Sequence, residues 1–460
     1  MALDAVLERF IEECPVPVMA RLALQRAISP TWVDEVFEKH SERQYTRELL
    51  FSTTVNLMSQ VALGFRPSLH AAAENCKDLP VSITSLYNKV NHTEPKVLRA
   101  LTQGSAARLA PVIRPFQKGH EPFLKGYRPR ILDGNHLPAS QKRLKVLRGF
   151  RGAALPGFSL VVYDPDLDLI VDLEPSECAH AQERALMDSL LPRVEKGDLW
   201  VADRNFCTCK ILFAIADAEA AFAFREHGAN PNPTVRSKWK KLGRTETGMV
   251  YEQKVSIQDA EGRTLLLRRV RIKLDVPTED GDTEIRILTN LPRSVKGQKV
   301  AELYRKRWGI EGMFQRLESV VKSEVRTLGN PKGALLAFGV SVLAFNVLSV
   351  IQSAVEAVHQ EQLKKEEFDL SPYYVALDVK AYYQGMKVAV PVEEWERFDE
   401  MTPGQLSREL RRVARRVQPK KLRNHPRSKP RVKPKKGYAP RKDVRRHIST
   451  AKALLAGKIE

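Results

Sequence analysis

Between Gly333 and Gln352 the chain runs GALLAFGVSVLAFNVLSVIQ without a single charged side chain. A segment of that length and polarity either crosses a bilayer or is covered on every side by its own fold. Ser341, Asn346 and Ser349 interrupt it, and no second run of the kind occurs. The acidic start (Asp4, Glu8, Glu12, Glu13) offers no apolar region of a secretory leader. The reading is a buried central helix in a cytoplasmic protein that spans no membrane. At 460 residues the chain is long enough to wrap such a helix in two or three domains. Its five cysteines (Cys14, Cys76, Cys178, Cys207, Cys209) are odd in number and scattered, which fits a reducing compartment. Cys207 and Cys209 have no second pair at zinc spacing.

Residues 1–115 carry helix-type apolar spacing, broken by Pro15, Pro17 and Pro30. Toward its end, Ser82 and Thr84 are candidate N-caps and Asn91–Pro95 a break between two short helices. A helix-turn-helix DNA reader fits that pattern, and so does a plain helical bundle. The texture changes at Tyr127. RPRILDGNHL reads as a strand ending near Asp133, and a basic loop (Lys142, Arg143, Lys145, Arg148, Arg151) leads to two more strands, GFSLVVYDP and LDLIVDLEPSE. DPDLDLIVD lacks the Gly and terminal Glu of a calcium loop and reads as a hairpin turn. AQERALMDSLLPRV follows as an amphipathic helix, GDLWVADRNF as a strand with Asp203 near its end, then the helix CKILFAIADAEAA and the strand AFAFREH. Such alternation predicts an α/β fold, a mixed sheet layered by helices. The polar, turn-rich stretch 228–284 reads as a β-strand insertion, after which EIRILTNLP resumes the core. We therefore expect a helical N-terminal DNA-binding domain at 1–120, core at 121–227 and 285–362, the insertion between them, and a C-terminal region at 363–460.

The formal charge is +20 and the pI about 9.7, which calls for a polyanionic partner. The charge is uneven: Gln405–His447 holds 18 Lys and Arg against two acids, leaving the body near +4. Prolines at 419, 426, 430, 434 and 440 mark this as an arm without a fold of its own. Arg411, Arg412, Arg415, Arg416, Lys420 and Lys421 are its first candidate contacts to a DNA backbone.

Ala301–Lys322, AELYRKRWGIEGMFQRLESVVK, reads as one amphipathic helix. Tyr304, Arg307, Glu311, Glu318 and Lys322 share a stripe at 3.6 residues per turn, beside Trp308. Alone, such a stripe is a solvated face with an Arg–Glu pair. With Asp133 and Asp203 upstream, at spacings of 70 and 108 residues to the next acid, another reading opens. An aspartate after a strand is commonly a turn residue or cap. Three carboxylates converging from separate rigid elements suit two-metal phosphoryl transfer on nucleic acid.

These residues resemble the DDE transposases of the insertion-sequence 4 type. The resemblance rests on LDGNHL around Asp133, VADRNF around Asp203, the strand LTNLP, and Tyr304-x2-Arg307-x3-Glu311 in YRKRWGIEGMF, and it covers about 125–350. It implies a ribonuclease-H-like core in which Asp133, Asp203 and Glu311 bind two Mg2+ ions, with Mn2+ able to substitute. It further implies that Tyr304 and Arg307 contact transposon-end phosphates and that the β insertion helps shape the cleaved end. The partners implied are double-stranded DNA (terminal inverted repeats and target) and a second copy of the chain in a synaptic dimer. The implied reaction is DNA cleavage and strand transfer. Two departures stand out: Glu318 where the family has Lys, with Lys322 or Arg316 as candidate replacements, and Asn135-His136 after Asp133-Gly134. Arg204 could orient a carboxylate or phosphate, and Trp239 could stack on an unstacked base, although packing is the commoner role of such a Trp. Glu174 and Glu177 could approach the site, and His136 reads as structural. The competing readings are a catalytically inactive, transposase-derived DNA-binding protein and a ribonuclease-H-like nuclease or resolvase.

Overall fold

The computed structural model describes residues 2–44, 46, 48–76, 78–137, 157–178, 181–228, 230–278, 281–325 and 328–425. The basic loop at 142–151 and the tail beyond His425 lie outside the described residues. Seven helices open the chain: α1 (Ala2–Glu13), α2 (Pro15–Ala27), α3 (Pro30–His40), α4 (Phe51–Ala62), α5 (Leu69–Glu74), α6 (Ile83–His92) and α7 (Pro95–Ile113). Prolines open α2, α3 and α7, where the missing N–H costs nothing and the fixed φ suits a helix start. Ser82 caps α6 by accepting the Ser85 N–H.

The strands are β1 (Arg128–His136), β2 (Phe158–Asp164), β3 (Leu169–Ser176), β4 (Asp198–Ala202), β5 (Ala221–Arg225), β6 (Thr234–Val235), β7 (Lys240–Thr245), β8 (Gly248–Gln258), β9 (Thr264–Leu274) and β10 (Glu284–Thr289). They form one ten-stranded sheet in the order β3-β2-β1-β4-β5-β10-β9-β8-β6, with β7 on β8. β1, β4 and β5 run parallel, and the pairs on either side of them are antiparallel. β2 and β4 are buried at every residue, as strands covered on both faces must be. The insertion thus extends the core sheet through β10 and β9.

The remaining helices are α8 (Glu183–Met187), α9 (Cys209–Asp217), α10 (Gly297–Lys306), α11 (Gly309–Ser319), α12 (Pro331–Lys365), α13 (Pro372–Ala389), α14 (Glu393–Glu396) and α15 (Pro403–Ala414). α12 is the expected central helix: it is the one helix among the described residues long and apolar enough to cross a membrane, and its apolar stretch is wholly buried inside the protein. Each polar residue that interrupts it has a partner. Asn346 exchanges two hydrogen bonds of 2.9 Å with the Ile170 backbone, closing the edge strand β3. Ser341 donates to the Lys322 carbonyl (3.0 Å) and Ser349 to Asp168 (3.1 Å). α7 crosses α12 so closely that a Cβ on Gly339 would lie 1.6 Å from Leu98 Cδ1. One hydrophobic core therefore runs from the N-terminal helices through α12 to one face of the sheet.

One expectation is sharpened here and one is corrected. The break between α6 and α7 falls where expected, yet α7, in the place of a recognition helix, buries Val97, Leu98, Leu101 and Leu109 between α12 and β3. Those faces of α7 are taken up by the fold. The basic arm, in turn, begins as structure. α15 buries Leu406, Leu410 and Val413, and its N-terminus is closed by a reciprocal Thr402–Gln405 capping box. Acids on this helix and elsewhere in the chain pair with some of the cations on and just past it: Arg412 with Glu8 and Glu409, Arg416 with Glu12, and Lys420 with Glu366.

Candidate active site

The site begins with strand register. β1 and β4 pair in parallel from Arg128↔Asp198 to Ile131↔Val201, an offset of 70. Asp133 and Asp203 are separated by the same number, so the register carries both to the same level at the carboxyl ends of adjacent strands. Local hydrogen bonds orient them. Asp133 Oδ1 accepts the Gly134 N–H (2.9 Å), and Asp203 Oδ1 accepts the Asn205 N–H (2.8 Å) as the cap of a 3-10 turn over Arg204–Phe206. Burial pushes the Asp133 carboxyl up to about 6, against the pull of Arg307 and the Gly134 N–H, and nearby Asp203 and Glu183 raise it further.

Arg307 connects this pair to the third acid. Its Nη1 lies 3.1 Å from Asp133 Oδ2 and its Nη2 3.6 Å from Glu311 Oε1. The single helix expected over Ala301–Lys322 is instead two, α10 and α11, joined at Arg307–Trp308. Across the joint the backbone bonds tighten to the i−3 pattern: Arg307 to Tyr304, Trp308 to Arg305, Ile310 to Arg307, Glu311 to Trp308. Gly309 and Gly312, weak helix formers, follow at once. The joint turns Arg307 inward, its side chain 9% exposed, and Trp308 outward at 50%. Tyr304 is buried beneath Arg307, with the guanidinium 5.7 Å from its ring centre. Burial raises the Tyr304 hydroxyl, with Arg307 and Arg225 opposing and Asp203 reinforcing. Glu311 stands apart, its side chain 58% exposed. Among the described residues no three His, Cys, Asp or Glu side chains are close enough together to hold a metal ion. Asp133 and Asp203 are thus brought together, while Glu311 is tethered through Arg307.

The insertion supports this joint. α10 rests on β7, β8 and β9, and Gln298 donates to the Leu242 carbonyl at 2.7 Å. Arg268 on β9 ties down the Leu291 and Pro292 carbonyls ahead of α10 (3.1 and 2.9 Å).

Other candidates fall elsewhere. Lys322 donates its N–H to the Ala62 carbonyl (2.9 Å), and its side chain lies near Gly64 and Lys380, against the N-terminal helices and α13. Arg316 is held by Asp168 and Tyr163 on the β2–β3 hairpin, so it is not a free replacement for the missing Lys. Glu318 is exposed. Arg204 is exposed beside Asp203 without an ion pair among the described residues. Trp239 is half-buried with the Arg271 guanidinium 4.2 Å from its ring centre, a packing arrangement. His136 packs on Phe158, and Glu174 pairs with Arg99 on α7. Arg411 donates to the Pro115 carbonyl and covers Phe116; Arg415 and Lys421 are exposed. The residue missed by sequence reasoning is Glu183. It opens α8, a five-residue helix where a longer one was expected, and its carboxylate reaches Asn205 Nδ2 at 3.1 Å beside Asp133 and Asp203.

A mixed sheet with two aspartates at the ends of adjacent parallel strands, and a third acid on the helix after the insertion, is the layout of a ribonuclease-H-like DDE domain. Residues 125–346 match the family model described as transposase DDE domain. A relative from Sinorhizobium fredii (strain NBRC 101917 / NGR234), named "Putative transposase y4zB", is 27% identical over 192 residues, 41% of this chain and 52% of the relative. The chain thus spans about half the length of that relative. The insertion-sequence 4 type is compatible with both.

Proposed function

We propose that the protein is a cut-and-paste transposase that cleaves DNA at insertion-sequence ends and joins the freed ends to target DNA. The observation that carries this is the Asp133–Asp203 pair set side by side by strand register, with Arg307 linking it to Glu311. The donor set is oxygen only, which suits Mg2+ or Mn2+. Burial is the main cause of the raised Asp133 carboxyl, and a bound cation would offset the cost of its charge there. Asp133, Asp203 and Glu311 would hold two ions, with Glu311 leaving Arg307 to do so. When bound, the ions activate the attacking oxygen and offset charge on the leaving oxygen. Arg307, released from Asp133, would turn its fork to a DNA phosphate, with buried Tyr304 fixing the base of its side chain. Arg415, Lys421 and the cations of the arm would track the backbone, and two copies would bring two ends together.

The test is Mg2+-dependent cleavage of an oligonucleotide carrying the element's terminal repeat, with Asp133→Ala, Asp203→Ala and Glu311→Ala as controls. Cleavage surviving all three changes sinks the assignment. A second reading, a DNA-binding relic, is favoured by Glu318 in place of Lys. Binding of the end without cleavage in Mg2+ or Mn2+ would establish it.

A further inference from the structure

Glu183 has a place in this site that no motif announces. A Cβ on Gly134 would lie 2.6 Å from Glu183 Oε1 and 2.3 Å from Phe158 Cζ, so only glycine leaves room for the carboxylate at the end of β1. Its other oxygen, Oε2, accepts a hydrogen bond from Asn205 Nδ2 (3.1 Å). Gly134 and Asn205 are the two residues whose backbone N–H groups orient Asp133 Oδ1 and Asp203 Oδ1, at 2.9 and 2.8 Å. One carboxylate therefore rests against both turns that aim the aspartate pair.

We propose that Glu183 is a fourth acidic residue of the active site. It is a positioning residue that clamps the Asp133 and Asp203 turns through Gly134 and Asn205 and adds its charge to the place where the cations are held. This rests on the two-metal reading above. The expected consequence follows from residues that support metal ligands, whose loss weakens metal affinity about 10- to 100-fold.

The experiment is Mn2+ titration of the full chain without DNA, read as loss of the free-ion paramagnetic resonance signal, for the parent, Glu183→Gln and Asp133→Asn. The Gln variant keeps an acceptor for Asn205 and removes only the charge. We expect it to bind Mn2+ about tenfold more weakly. Its cleavage should require correspondingly more Mg2+ for half-maximal rate and recover toward the parent at saturation. Unchanged Mn2+ affinity in Glu183→Gln with a clear loss in Asp133→Asn overturns the role of Glu183 and leaves the transposase reading standing. No loss in either variant overturns both. If Glu183→Gln melts below the parent in the absence of ions, Glu183→Asp separates charge from structure. Recovery of Mn2+ affinity in the Asp variant supports the proposal, and equal weakening in both variants overturns it.

Discussion

The two halves of the candidate site are built by different means. Asp133 on β1 and Asp203 just past the end of β4 belong to neighbouring parallel strands aligned by backbone hydrogen bonds, so their separation is a property of the sheet. Glu311 sits just past a 3-10 joint, more than half exposed, and is held by a guanidinium that equally holds Asp133. Sheet register is stiff because a slip moves every side chain of the strand. A helix joint with two glycines is adjustable. On the function proposed above, the aspartate pair would be ready before a substrate arrives and the third acid would be brought up to it.

The largest effect separates the halves directly. Asp203→Ala and Glu311→Ala should each lower end cleavage by roughly 10⁴-fold, as loss of a residue acting in a catalytic unit does. In the absence of DNA they should differ: Asp203→Ala loses Mn2+ affinity while Glu311→Ala nearly keeps it. Equal losses in ion titrations would show Glu311 already engaged and remove the distinction. Next comes the far anchor of α11. Arg316 pairs with Asp168, both side chains about three-quarters buried, and Tyr163 donates to the same carboxylate. Arg316→Ala leaves that acid largely buried without its cation, held by the Tyr163 and Ser349 hydroxyls alone, and should cost about 3 kcal/mol in urea unfolding. A cost under 1 kcal/mol would mean that α11 is not anchored there.

Asp133 gives the rigid half a pH signature. Its folded carboxyl titrates near 6 against 3.8 in the unfolded chain, so the fold binds the proton more tightly. Below pH 4 both states are protonated and the group contributes nothing. As pH rises through 6 the folded state must carry a buried charge. Stability therefore falls between about pH 4 and 6, where the unfolded chain has already lost this proton, and levels off above 6 after a loss of up to about 3 kcal/mol, because each tenfold difference in proton affinity between the two states is worth about 1.4 kcal/mol. Asp133→Asn lacks this dependence. Denaturant unfolding at pH 4 and pH 7 should show the parent losing stability relative to the variant over that window; parallel behaviour would deny the burial of Asp133.

The same contrast explains what could be read before the structure. The strands around Asp133 and Asp203, and the burial of α12, follow from local composition, and the 70-residue spacing already contains the register. The rest depends on distant partners. The insertion joins the core sheet because β10 pairs with both β5 and β9, which no local pattern encodes. α7 could be taken for a groove reader because its apolar face does not reveal that α12 and β3 cover it. The start of the basic arm folds because Leu406, Leu410 and Val413 pack against α2, α7 and α12, partners distant in sequence. Glu183 was invisible for a different reason: a single acid on a five-residue helix has no periodicity, and its meaning lies in the bare Cα of Gly134.

The smallest effect tests the joint itself. A Cβ on Gly309 meets nothing within 4 Å, and its φ is not in the left-handed region, so Gly309→Ala fits without strain. Alanine in place of glycine at a helix start should raise stability by about 0.5–1 kcal/mol, through the unfolded chain's lost freedom and better helix propensity. If α11 has to move for Glu311 to leave Arg307, the same change stiffens the moving part. We therefore expect Gly309→Ala to melt higher and to cleave a terminal-repeat oligonucleotide several-fold more slowly at saturating Mg2+, with DNA-free Mn2+ affinity unchanged. A variant that is more stable and cleaves at the parent's rate would show that the joint does not move, and that Glu311 reaches the aspartate pair by side-chain rotation alone.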